Sequence, residues 1–171
     1  YKDAINNEGS LKDYYNEMGM GVECFFIEKI VNELKPLGKA FIIIPDGLLN
    51  RVHDSKIRKF IKKNCIIEGI ISLPIGAFYS TQKKTYILAI TKKSDSEQQQ
   101  VSKVFGYIAT SIGESLDVYR TPTPENDLKD FVRQYKYFQL DKTLFEPLSI
   151  NCKVFPIEKF DPETNWCIDR W

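Results

Sequence analysis

Histidine is nearly missing from this sequence: His53 stands alone, and the four cysteines, Cys24, Cys65, Cys152 and Cys167, never reach C-x-x-C spacing. A structural zinc site needs a tighter cluster of such ligands. The expectation is instead four free thiols, buried or half-buried, in a reducing cytoplasm. Long apolar runs are missing too. No stretch approaches the roughly 20 apolar residues that span a bilayer, and "YKDAINNEGS" has neither the basic nor the apolar region of a secretory leader. No membrane partner is expected. The phosphate-loop pattern G-x-x-x-x-G-K-[ST], the metalloprotease pattern H-E-x-x-H and the hydrolase elbow G-x-S-x-G are all absent. His53 and Asp54 are sequence neighbours with no third group in view, so they read as a turn rather than an acid/base pair.

Net charge is small, +1, but it is unevenly spread. Residues 51–103 hold nearly half of the 24 Lys and Arg and only a few of the 23 Asp and Glu. Such asymmetry is the footprint of a polyanion site or, more commonly for a single charge run, a solvated helix face. The chain opens on Tyr1 without an initiator Met and closes on "NWCIDRW". Both ends read as boundaries of a piece of something longer.

Up to about residue 20 the sequence is polar and turn-rich. Gly19 and Gly21 stand ahead of a helix, where a cofactor loop would sit, but no buried strand precedes them and no third glycine stands at the expected offset, so they read as a turn. "VECFFIEKIVNELKPLGK" then places Phe26, Ile27, Ile30, Val31 and Leu34 at helical spacing, with Pro36 and Gly38 as a stop. "KAFIIIP" follows as an apolar run that fits a strand covered on both faces. "DGLLNRVHDSKIRKFIKKN" predicts a helix capped by Asp54 or Ser55 and ended by Asn64, with Ile57, Phe60 and Ile61 inward. Lys56, Arg58, Lys59, Lys62 and Lys63 are expected on its solvent side. "CIIEGIISLP" is a second buried strand, and the alternation argues for an α/β fold. Only about ten residues, "IGAFYSTQKK", separate it from "TYILAITKK". That is too few for a crossover, so this strand returns antiparallel and the sheet ends in a hairpin. "SDSEQQQ" reads as a surface loop and "VSKVFGYIAT" as another strand. A short helix, capped by Thr123 with Pro124 in its first turn, is predicted to run to about Tyr137, and "CKVFPIEKF" is the clearest strand candidate of the last part.

The order helix, "LKPLGKAFIIIPDGLL", basic helix, "IIEGIISLPIGAFYSTQKKTYILAITKK" resembles the C-terminal half of the catalytic domain of adenine-specific DNA methyltransferases of the type I restriction modification-subunit kind. In that family a helix ending in L-K-x-G-G-[RK] leads to an apolar strand ending in P-x-G-x-L. A second strand ends in L-P-x-x-x-F, and a hairpin returns as T-x-[IV]-L-x-[IVL]-x-K. These elements are Leu34 to Lys39, Phe41 to Leu48, Ile70 to Phe78 and Thr85 to Lys92, with Leu37 in place of the first glycine. The resemblance implies a partial Rossmann-like fold of the S-adenosylmethionine-dependent methyltransferases, α/β, with an antiparallel strand inserted between two parallel ones. Residues 1–100 would be the C-terminal half of the catalytic domain, and residues 101–171 an extension packed on it or leading to a further domain.

The family's cofactor loop, of the D-P-A-C-G-x-G type, and its catalytic (N/D)-P-P-(F/Y) do not occur in these 171 residues. "FDPETNW" lacks the second proline and the aromatic, and reads as a turn. The resemblance therefore implies no catalytic or S-adenosylmethionine-binding residue here, and a segment inactive by itself. What it implies instead is the target-base side of the site. Phe78, then Tyr79, match the aromatic that stacks on an adenine extruded from duplex DNA, and Lys83, Lys84, Arg58, Lys59 and Lys62 are the candidates to meet phosphates. DNA, a specificity subunit and a restriction subunit are the implied partners. The alternative is a non-catalytic DNA- or subunit-binding module whose aromatics Tyr135, Tyr137, Phe138 and Phe145 dock a specificity subunit.

Overall fold

The computed structural model describes residues 21–95, 98, 100 and 102–171. The turn-rich opening with Gly19, and part of the "SDSEQQQ" loop, lie outside them. Five strands make one mixed sheet in the order β1 (Lys39–Pro45), β3 (Thr85–Lys92), β2 (Cys65–Ser72), β4 (Lys103–Ile108), β7 (Cys152–Pro156). β3 is antiparallel to both β1 and β2, β2 is parallel to β4, and β7 is antiparallel to β4. The returning strand of the hairpin is thus inserted between β1 and β2, which run parallel to each other. This is the α/β, Rossmann-like arrangement that the methyltransferase pattern implies.

One face is covered by α1 (Val22–Glu33), α2 (Asp46–Asn50), α3 (Ser55–Asn64) and the segment after β7, and the other by α4 (Asp127–Leu140). On the first face Ile27, Val31, Ile57 and Ile61 meet Ile67, Ile70, Leu88 and Val104, closed from below by the fully buried Trp166. On the second, Phe105 and Tyr107 of β4 meet Phe131, Tyr135 and Phe138 of α4. A bulge in β2 between Ile67 and Gly69 lets Ile67 and Ile70, three residues apart, point to the same face. The bulged Glu68 turns to the other face. There its carboxylate accepts hydrogen bonds from Thr91 (2.7 Å), Gln139 (3.2 Å) and Lys142, pinning α4 to the sheet.

Four expectations are corrected. In α1, Cys24 replaces Phe26 on the inward stripe, and Phe26 is 57% exposed. Among the described residues β1 lies at the edge of the sheet: Ile44 is buried, but Phe41 and Ile43 are each 54% exposed, so one face is only partly covered. α4 starts later than predicted, because Thr123 and Pro124 belong to β6 (Pro122–Asn126), which pairs with β5 (Ile112–Glu114) in a two-stranded ribbon. Its cap is Asn126, whose side chain accepts from the Leu128 amide at 3.0 Å. The aromatics offered as a docking surface are mostly interior. Tyr135, Phe138 and Phe145 are buried, and Tyr137 alone of the four is exposed.

Leu37 carries a local cost. The Gly38 amide donates to the Lys35 carbonyl at 2.8 Å, closing a turn with Pro36 second and Leu37 third at φ 63°. That third position of a type II turn suits glycine, and a left-handed L-residue costs roughly 1–2 kcal/mol. Leu37 is also 57% exposed, so its side chain recovers little by burial. Leu37→Gly is expected to stabilise the protein by about 1 kcal/mol in denaturant titration. A loss of stability would mean that the leucine side chain contributes more than the backbone conformation costs.

Candidate nucleic-acid interface

β1, β2 and β4 run in one direction, so their carboxyl ends share an edge of the sheet, the edge where open α/β sheets bind ligands. Three connections leave it. Pro45 passes into α2, Ser72 into the loop of residues 73–84, and Ile108 into the β5–β6 ribbon.

The loop of residues 73–84 is built from two turns. The Ala77 amide donates to the Pro74 carbonyl at 3.1 Å, with Gly76 at φ 81° in the position that needs a left-handed backbone. The Thr81 amide then donates to the Phe78 carbonyl at 3.2 Å. The loop thus passes through two turns in succession, and the two rings come out differently. Phe78 is half-buried against the core cluster that includes Ile71 and Leu73, whereas Tyr79 is 74% exposed. Lys83 is exposed beside them.

The other cations anticipated for phosphate are placed elsewhere or already engaged. Arg58 is a correction. It is 1% exposed, with Nε donating to the Pro162 carbonyl and Nη1 to the Leu48 carbonyl, both at 2.8 Å. The reason is position: Arg58 follows Ile57 on the face of α3 that meets the C-terminal segment. Lys84 is a second correction, since its Nζ donates to the Leu73 carbonyl at 2.6 Å and pairs with Asp169 at 3.3 Å, leaving the side chain 16% exposed. Lys59 pairs with Glu163 on the surface, and Lys62 donates to the Phe160 carbonyl at 3.2 Å. Both belong to α3 and lean on the C-terminal segment, away from the aromatic loop. Of the anticipated set, Phe78, Tyr79 and Lys83 share the loop of residues 73–84, with Tyr79 and Lys83 exposed.

Other features of this edge carry no sequence signal. The tail folds back so that Asp169 accepts from the Tyr86 hydroxyl at 2.6 Å. Burial raises the carboxyl pKa of Asp169, but the Tyr86 hydrogen bond and the Lys84 charge outweigh it and hold it below the usual range. At the turn from β1 to α2, a Cβ on Gly47 would lie 2.0 Å from the Arg51 guanidinium, so that side chain fills the space beside the glycine. Arg120, from the turn of the β5–β6 ribbon, donates to the Gly76 carbonyl at 2.6 Å. The four cysteines are free and buried, as expected, and burial pushes the thiols of Cys24 and Cys152 up to about 12 and that of Cys65 to about 11. Among the described residues there is no group of His, Cys, Asp and Glu that would hold a metal ion, and no helix long and apolar enough to cross a membrane.

Comparison with known proteins places this chain in a family. The chain is 30% identical over 115 residues to the type I restriction enzyme EcoKI methylase subunit of Escherichia coli K12, a match covering 64% of this chain and 22% of that protein. The chain thus spans about a fifth of the length of the curated relatives it matches. The crystal structure of the EcoKI M protein superposes with a TM-score of 0.57 at 27% identity, over 67% of this chain and 25% of that one. A chain from a structure of a type I R-M system superposes with a TM-score of 0.66 over 85% of this chain and 31% of that one; at 16% identity it speaks for the fold alone. The model of the N-6 DNA methylases matches residues 2–161, which take in both the aromatic loop and the strands that carry it. The chain belongs to the N-6 DNA methylase family.

Proposed function

We propose that the protein carrying this chain methylates the exocyclic amino group of adenine in DNA as the modification subunit of a type I restriction–modification system. This segment supplies the target-base side of the site. The observation that carries the reading is the aromatic pair Phe78–Tyr79, set in a loop of two turns at the carboxyl edge of the parallel strands. Adenine N6 is out of reach of an enzyme while the base is stacked in a duplex, so the base has to leave the helix. An aromatic face restores roughly 1–3 kcal/mol of the lost stacking per base. Tyr79 offers an exposed ring, Phe78 the unburied part of one anchored in the core, and Lys83, exposed in the same loop, a cation for the backbone phosphates.

The family implies S-adenosylmethionine as methyl donor. The family's loop for this donor, of the D-P-A-C-G-x-G type, has no counterpart in these 171 residues. DNA and the companion specificity and restriction subunits are the proposed partners, and the cytoplasm the proposed site of action. The module alternative loses its main support, because three of its four docking aromatics lie in the core.

In the full-length protein, Tyr79→Ala and Phe78→Ala are each expected to lower methylation by about fivefold to a hundredfold, as the loss of one stacking contact implies. Cofactor affinity is expected to stay unchanged. Tyr79→Ala should do so at unaltered thermal stability, since its ring is solvent-exposed. Turnover unchanged in both variants would remove the loop from the base pocket.

A further inference from the structure

The β5–β6 ribbon leaves the same edge as the aromatic loop and touches it. Its base is closed by Asp127, whose carboxylate accepts from the Thr110 amide (2.7 Å), the Thr110 hydroxyl (2.9 Å) and the Ser111 amide (3.0 Å), joining the end of β4 to the start of α4. Its turn is closed by Asp117, which accepts from the Ser115 hydroxyl and the Tyr119 amide, each at 2.9 Å, and from the Arg120 amide at 3.3 Å. The ribbon is therefore held at both ends by its own hydrogen bonds. Arg120 sits in this turn at φ 50°, a conformation an L-residue adopts only under constraint.

The side chain delivered by that conformation reaches the other loop. Nη2 of Arg120 donates to the Gly76 carbonyl at 2.6 Å, while Nη1 pairs with Glu114 of β5 at 3.2 Å, and the Arg120 side chain is 16% exposed. Gly76 is the left-handed pivot of the turn that precedes Phe78 and Tyr79. A Cβ there would lie 3.2 Å from the Leu116 carbonyl oxygen, so the ribbon backbone lies against the pivot as well. Glu114 orients the guanidinium and the guanidinium holds the pivot, so the ribbon braces the turn that leads into Phe78 and Tyr79.

We infer that Arg120 is a positioning residue for the target base, acting through the Gly76 carbonyl to hold Phe78 and Tyr79 where an extruded adenine stacks. The inference rests on the base-pocket reading of the loop and deepens it. Arg120 itself touches neither the base nor the methyl donor.

The decisive variant is Arg120→Gly in the full-length protein. Glycine accepts the left-handed backbone at this position, so the turn keeps its shape while the brace is lost. Misplacing reacting groups by about an ångström costs up to roughly a hundredfold in rate. The expected result is a fall of about tenfold or more in kcat/KM for DNA, with cofactor affinity unchanged and melting temperature near wild type, since the relieved left-handed backbone offsets part of the lost hydrogen bonds. With 2-aminopurine at the target position, its fluorescence, which reports stacking of the flipped base, is expected to shift in the same direction as in Tyr79→Ala and Phe78→Ala. Wild-type turnover and fluorescence in Arg120→Gly, alongside impaired Tyr79→Ala and Phe78→Ala, would overturn the inference and leave the pocket reading standing. Wild-type behaviour in all three variants would overturn both.

Discussion

Arg58→Ala is expected to cost about 3 kcal/mol or more of folding stability while leaving the affinity for DNA, and its dependence on salt, unchanged. Two hydrogen bonds from a charged donor are lost, to the carbonyls of Leu48 and Pro162, and such bonds are worth roughly 1.5–3 kcal/mol each. Both carbonyls are then left to find partners in an interior where Arg58 itself is only 1% exposed. The aliphatic stem goes too, opening space between α3 and the C-terminal segment. A side chain on phosphate would behave oppositely, because losing one phosphate contact lowers the salt slope by about one with little effect on stability. Denaturant titration and DNA binding at several salt concentrations separate the two. A smaller salt slope at wild-type stability would mean that Arg58 reaches the DNA.

Phe105→Ala is expected to destabilise by about 4 kcal/mol, within the range of 3–5 kcal/mol for deleting a buried phenylalanine side chain. Phe105 has no exposure and is the hub of the second core: the rings of Tyr107, Phe131, Tyr135, Phe138 and Phe145 lie with centroids 5.3–6.4 Å from its own. No single neighbour can move to fill the space, since each is held by others in the same cluster. The loss should concentrate in α4, and hydrogen exchange would show its amides opening before those of β2 and β3. A cost below 1 kcal/mol would mean that the cluster rearranges around the gap and is loosely packed.

The strands and their direction were legible because their residues obey simple spacing rules. The ten residues between "CIIEGIISLP" and "TYILAITKK" cannot cross over, so the hairpin follows from length alone. Arg58 was misread because a helix of alternating Ile, Lys and Arg looks solvated wherever the charges fall. Nothing local reveals that residues 157–171 cover α3 and turn one of those positions inward. Glu68 shows the same limit: the partners of this single charge in an apolar strand, Thr91, Gln139 and Lys142, come from β3, from the end of α4 and from just beyond it. Phe78 and Tyr79 could be picked out from the family pattern. Arg120 could not, since its meeting with Gly76 spans 44 residues and depends on the parallel pairing of β2 and β4.

The partly covered edge strand β1 has a practical consequence. Among the described residues its outer backbone has no strand partner, and Phe41 and Ile43 add exposed apolar surface beside it. Such an edge is a template for pairing between molecules, which natural proteins blunt with charge or cover. Produced as an isolated polypeptide, this stretch is expected to self-associate increasingly as its concentration rises. A lysine at Phe41 or Ile43 is the simplest remedy, and it leaves the aromatic loop untouched.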